Sequence, residues 1–149
     1  MARLDNWQSN LSALIEAKRK EPFAFGSFDC SLWAGMAIEA VNGVDIYSPY
    51  VGRYSTALGA LKKLKQIDKV SKPIEVFDKN LGERQPIAFA KKGDIVFTSN
   101  PDIDIQLPDD FDTFGPVLGV CYGQNSIFVG EAGLIEITTL QLDGCLWVS

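Results

Sequence analysis

The sequence predicts an α+β fold, with N-terminal helices packed on a C-terminal antiparallel sheet. Three observations predict it. Apolar residues recur at helical spacing through the first half, and short β-branched and aromatic segments between Gly-containing turns fill the second. The length, 149 residues with 46% hydrophobic and 22% charged content, fits one domain with its own buried core. That domain covers residues 1–149, helical from about 5 to 70 and sheet-forming from about 86 to 149.

The first helix reads from Asp5 to Lys20, because Trp7, Leu11, Leu14 and Ile15 share one face. Pro22 and Gly26 end that pattern. A second helix runs from about Cys30 to Asn42, with Asp29 or Ser27 as N-cap and Gly43 as terminator. Its broad apolar face (Leu32, Trp33, Met36, Ala37, Ala40, Val41) makes it the central buried helix. A third follows Tyr54, capped by Ser55, with Leu58, Leu61 and Leu64 on one side. The nearby Lys62, Lys63, Lys65 and Lys69 read as a solvated helix face. After Pro73 the pattern changes to short apolar stretches around a Lys92-Gly93-Asp94 turn. Then Val117–Tyr122, Ser126–Val129, Leu134–Ile137 and Cys145–Val148 read as strands of an antiparallel meander.

Composition removes several classes of function. Lys+Arg 14 against Asp+Glu 19 leaves a net charge of -5, which argues against nucleic acid as the main partner. No apolar run approaches a membrane span, and no secretory signal is visible, so synthesis in a reducing cytoplasm is expected. Cys30, Cys121 and Cys145 form no Cys-x-x-Cys pair, so neither a zinc ribbon nor a disulfide framework is expected. Cys121 and Cys145 read as small apolar strand residues. The segment from Asn100 to Gly115, with Asp102, Asp104, Asp109, Asp110 and Asp112, reads as a long exposed partner-docking loop. It lacks the spacing of a calcium loop, and no metal or other cofactor is expected. Trp33 and Trp147 are candidates for a sugar-binding groove, but both read better as core residues. Finally, the chain has His 0, so the commonest general base is missing.

One constellation could carry chemistry. Gly26 and Ser27 form a turn, Asp29 can cap, and Cys30 falls in the first turn of the central helix. There the helix dipole and free N–H groups would stabilise a thiolate and could build an oxyanion hole. The competing reading makes Cys30 a small, buried and inert apolar residue.

The string Phe25-Gly26-Ser27-Phe28-Asp29-Cys30-Ser31-Leu32-Trp33 resembles the nucleophile motif of the NlpC-type cell-wall peptidases, which are papain-like. Gly93-Asp94-Ile95-Val96-Phe97 and Val117-Leu118-Gly119-Val120-Cys121-Tyr122-Gly123 resemble that family's next two strands, in the same order. Gly43-Val44-Asp45, Arg53-Tyr54 through Gly59-Ala60, and the ending from Gly133-Leu134 to Trp147-Val148 are similar to a phage-encoded branch found among tail-tip and tail-assembly genes. The resemblance implies a papain-like NlpC-type domain in the virion tail. Its partners would be other phage tail proteins, with peptidoglycan as a further one.

The match departs from the family at one decisive place. The strand alignment puts Val117 where the family carries its histidine, so the base that takes the thiol proton is absent. Asp29 or Glu131 could deputise, yet Asp29 is needed as a cap and would raise the neighbouring thiol's pKa. The resemblance therefore implies a catalytically inactive tail-tip or tail-assembly protein, with Cys30 and Asp29 as vestiges of the site. The alternative is a cysteine-dependent cell-wall endopeptidase or amidase that uses Cys30 with an unorthodox base.

Overall fold

The computed structural model describes residues 2–100 and 114–149. Among the described residues four α-helices come first: α1 (Trp7–Lys18), α2 (Cys30–Asn42), α3 (Ala57–Ile67) and α4 (Pro73–Leu81). Five strands follow: β1 (Ile95–Thr98), β2 (Val117–Cys121), β3 (Asn125–Gly130), β4 (Gly133–Thr138) and β5 (Gly144–Leu146). The mixed α+β architecture, helices first and an antiparallel sheet after, is as expected.

The central helix forms as its sequence predicts. Asp29 is extended at the N-cap and accepts from the Leu32 N–H, while Gly43 closes the other end in the left-handed region at φ 82. Leu32, Trp33, Ala34, Ala37, Ile38 and Val41 are buried, and α2 lies across β2 and β3 with α1 beside it. Trp33 is wholly inside, and its indole N–H donates to the Ile127 carbonyl at 3.0 Å. A buried indole keeps its packing without an orphaned donor only through such a bond.

Elsewhere the boundaries differ from expectation. The third helix is capped by Thr56, whose hydroxyl accepts from the Gly59 N–H at 3.0 Å, rather than by Ser55. The helical part also extends past 70, because α4 starts at Pro73. Proline stands there at the first helical position, where its missing N–H costs nothing. Glu75 reaches back to accept from the Ser71 and Lys72 amides, and Ile74, Val76 and Phe77 are buried. The apolar stretch before the Gly93 turn is a short 3-10 helix, Ile87–Phe89, not a strand.

The sheet order is β4-β3-β2-β1-β5, all neighbours antiparallel. The meander therefore covers only β1 to β4. β5 returns to pair with β1, setting Val96 against Cys145, and Gln85 brackets the outer side of β5. Trp147, expected in the core, is 42% exposed beyond β5, with its indole N–H on the Phe89 carbonyl at 3.2 Å. Cys121 and Cys145 are buried and free, as small apolar strand residues should be. Among the described residues no helix is long and apolar enough to cross a membrane.

Candidate functional site around Cys30

A short reversal precedes α2. Ala24 and Phe28 pair across it through two backbone bonds of 3.0 and 2.8 Å, and Gly26 turns it at φ 83. A Cβ on Gly26 would stand 1.8 Å from the Tyr54 carbonyl oxygen, so this close approach requires glycine. The turn delivers Asp29 and Cys30 to the start of α2.

Asp29 is almost fully buried and accepts three hydrogen bonds. Oδ1 takes the Leu32 N–H at 3.0 Å, and Oδ2 takes the Gly26 N–H at 3.1 Å and the Tyr54 hydroxyl at 2.5 Å. The carboxylate thus ties the turn, the helix and the segment before α3 to one point. Tyr54 lies 25 positions from Asp29, so no local sequence pattern links the two. Burial and the adjoining carboxylate drive its phenol well above the ordinary range.

Cys30 is only 5% exposed. Of the two readings of Cys30, stabilised thiolate or buried apolar residue, its enclosure agrees with the second. Burial, followed by the negative Asp29 beside it, pushes the thiol up to about 12, and the Leu118 amide and Ser31 offset only part of this. Desolvation outweighs the helix dipole because a fully enclosed sulfur has no water to share its charge. From the strand carrying Val117, the group that meets the sulfur is the Leu118 amide of β2. Val117 itself is buried and paired with Thr98 of β1. Glu131 is exposed in the turn between β3 and β4, with no bond to the Asp29–Cys30 cluster.

Aromatic rings pack together around the turn. Phe23 stands edge-on to Phe25 at 4.9 Å, and Phe25 to Phe114 at 6.1 Å, with Phe114 buried just ahead of β2. Residues 101–113, including the acidic segment expected to dock partners, lie outside the described residues. Among the described residues no cluster of His, Cys, Asp or Glu could hold a metal ion.

Residues 2–147 match the model of a family described as a domain of unknown function, DUF6950. The chain belongs to the DUF6950 family. No curated protein and no solved structure matches it. In this DUF6950 domain the Gly26, Asp29, Cys30 and Tyr54 cluster is a tightly bonded joint with a sealed thiol. Both Asp29 oxygens accept hydrogen bonds from structural donors, the Leu32 and Gly26 amides and the Tyr54 hydroxyl.

The sealed thiol has a consequence at high pH. The folded thiol holds its proton to about 12 from an ordinary value of 9.0, and Cys145 holds its own to about 11. Between those values the unfolded chain has lost protons that the folded chain keeps. Stability is therefore full below about pH 9 and falls as pH rises toward 12, at up to about 1.4 kcal/mol per pH unit for each group. Urea unfolding midpoints measured from neutral pH upward should fall through this window. Replacing Cys30 with Ala should flatten part of the slope.

Proposed function

We propose that this DUF6950 domain is a catalytically inactive, papain-like NlpC-type scaffold that serves as a structural component of a phage tail tip or tail-assembly apparatus. The observation that carries the inactive part is the state of Cys30, buried, protonated far above neutral pH and faced by Val117's strand through a backbone amide. A nucleophilic cysteine needs a thiolate and a base that can return the proton to the leaving amine. Neither requirement is met, and the chain has His 0. The papain-like part is supported by a cysteine at the first position of a helix packed on an antiparallel sheet, together with the motif resemblance. The tail role rests on the resemblance to the phage-encoded branch. Other tail proteins are its proposed partners, with peptidoglycan a further one, and its place is the virion tail after synthesis in the host cytoplasm.

Native protein treated with iodoacetamide at neutral pH should leave Cys30 unmodified, whereas the urea-unfolded chain should alkylate fully. Incubation with peptidoglycan should release no fragments. Cleavage that disappears in Cys30→Ala would overturn the inactive reading in favour of an endopeptidase or amidase. Mass spectrometry of phage particles whose genome carries this chain should find it among the tail proteins; its absence would remove the tail role.

A further inference from the structure

The sheet has one edge that is open over a short, definable stretch. β4 pairs only with β3. The Leu134 N–H points away from β3, because it donates to the Arg19 carbonyl at 2.9 Å, and the Thr139 N–H points toward β3, onto Gln124. Alternation along an antiparallel strand then turns the N–H and C=O of Glu136 and the N–H of Thr138 outward, while the Thr138 carbonyl opens the following 3-10 turn. Both residues are exposed, and among the described residues no partner for these outward groups is found. Arg19 blocks the edge at one end, and the 3-10 turn Thr139–Gln141 ends it at the other.

Beside this edge runs a groove of about 350 Å³ between α1 and the sheet. Ile15 and Leu134 give it apolar walls, and Ser12, Glu16, Arg19 and Glu136 supply polar ones. The Arg19 guanidinium is engaged by Glu16 at 2.6 Å, and Lys92 is stacked over the Tyr122 ring at 4.2 Å. Glu136 also acts on Arg19 through space, so the groove sets two carboxylates, Glu16 and Glu136, against one guanidinium and keeps an excess of negative charge, on a chain of net charge -5. A second copy is a poor occupant. Antiparallel pairing about a twofold axis at Ile137 would set the two Glu136 side chains on a diagonal of about 7–8 Å, with like charge.

We infer that the open stretch of β4 accepts an extended, Lys- or Arg-bearing segment of another protein as a sixth strand, its cationic side chain set against Glu136 in the groove. Backbone bonds to Glu136 and Thr138 supply the pairing, and the groove beside them selects the side chain. The inference stands on β4 and not on Cys30, so it survives if the inactive reading fails.

Thr138 offers a clean test. Its φ of -58 already suits proline, and its N–H takes no part in the β3 ladder, so Thr138→Pro removes one outward donor without backbone strain. The probe is a synthetic peptide, Thr-Lys-Val-Lys-Val-Lys-Thr, titrated into isotopically labelled protein. Amide shifts should gather at Arg19, Leu134, Glu136 and Thr138, with a Kd on the order of 1 mM. Thr138→Pro should weaken binding about tenfold with Tm held within about 2 °C. Glu136→Lys, at an exposed position, should do the same, and a peptide with Glu in place of Lys should cause no shifts. The inference is overturned by an absence of shifts at several millimolar peptide, by binding that both variants leave intact, or by wild-type protein sedimenting as a dimer that Thr138→Pro dissociates.

Discussion

Replacing Asp94 with Ala should cost about 3–5 kcal/mol. Asp94 is fully buried, and its carboxylate joins three separate stretches of backbone. Oδ1 accepts the Val148 N–H at 3.0 Å and pairs with the Arg3 guanidinium at 3.0 Å, while Oδ2 accepts the Lys91 N–H at 2.8 Å. Arg3 in turn donates to the Val148 and Lys92 carbonyls and lies over the Trp7 ring at 4.3 Å. Alanine would orphan the buried Val148 amide and the part-buried Lys91 amide, and leave the guanidinium with carbonyls alone. Each orphaned donor costs about 1–3 kcal/mol, so the sum exceeds any plausible relief from desolvating the charge. Asn should retain some of the amide bonds and lose about half as much. In urea the midpoint should fall at constant m, and Tm should drop by roughly 10 °C. A loss under about 1 kcal/mol would show that both chain ends are held by something other than this carboxylate.

Asp94 also marks where a sequence stops being legible. Its place in the Gly93-Asp94 turn is local and could be read, but its bonds run to residues 3 and 148, near the two ends of the chain. The central helix was readable because its cap, apolar face and terminating glycine all lie within fifteen positions of one another. α4 carried equally local signals in Pro73 and Glu75. It is not legible as a helix because the change of pattern at Pro73 coincides with a helix start, where proline fits. The pairing of β5 with β1 left no trace in the sequence, since strand partners are chosen by packing and topology across about fifty residues. The apolar neighbours of Trp147 predict a core residue, yet a strand end at a sheet edge has no second layer to cover it. At Cys30 the residue types were legible and their energetics were not. A helix N-terminus and a buried sulfur pull the thiol in opposite directions, and only the degree of enclosure decides between them.

Asp29→Ala should cost about 3 kcal/mol, and its pattern across variants separates a structural carboxylate from a catalytic remnant. The side chain satisfies the Leu32 amide of α2, the Gly26 amide of the turn and the Tyr54 hydroxyl. Loss of an N-cap alone is worth about 1 kcal/mol, and hydrogen bonds to a charged acceptor about 1.5–3 kcal/mol each before relaxation. Tyr54→Phe removes one donor and leaves Asp29 two others, so it should cost about 1 kcal/mol. Combining the two should give less than their sum, because the Tyr54 bond is already gone once Asp29 is absent. Additive losses would mean that the hydroxyl and the carboxylate act independently. The thiol supplies the second readout. Asp29 is one of the two groups of causes that raise it, but burial comes first, so Asp29→Ala should lower its pKa only in part and leave native Cys30 slow to alkylate at neutral pH. A fast-reacting Cys30 in the still-folded variant would reverse the ranking of burial over charge. It would then be the carboxylate, and not enclosure by the fold, that silences the thiol.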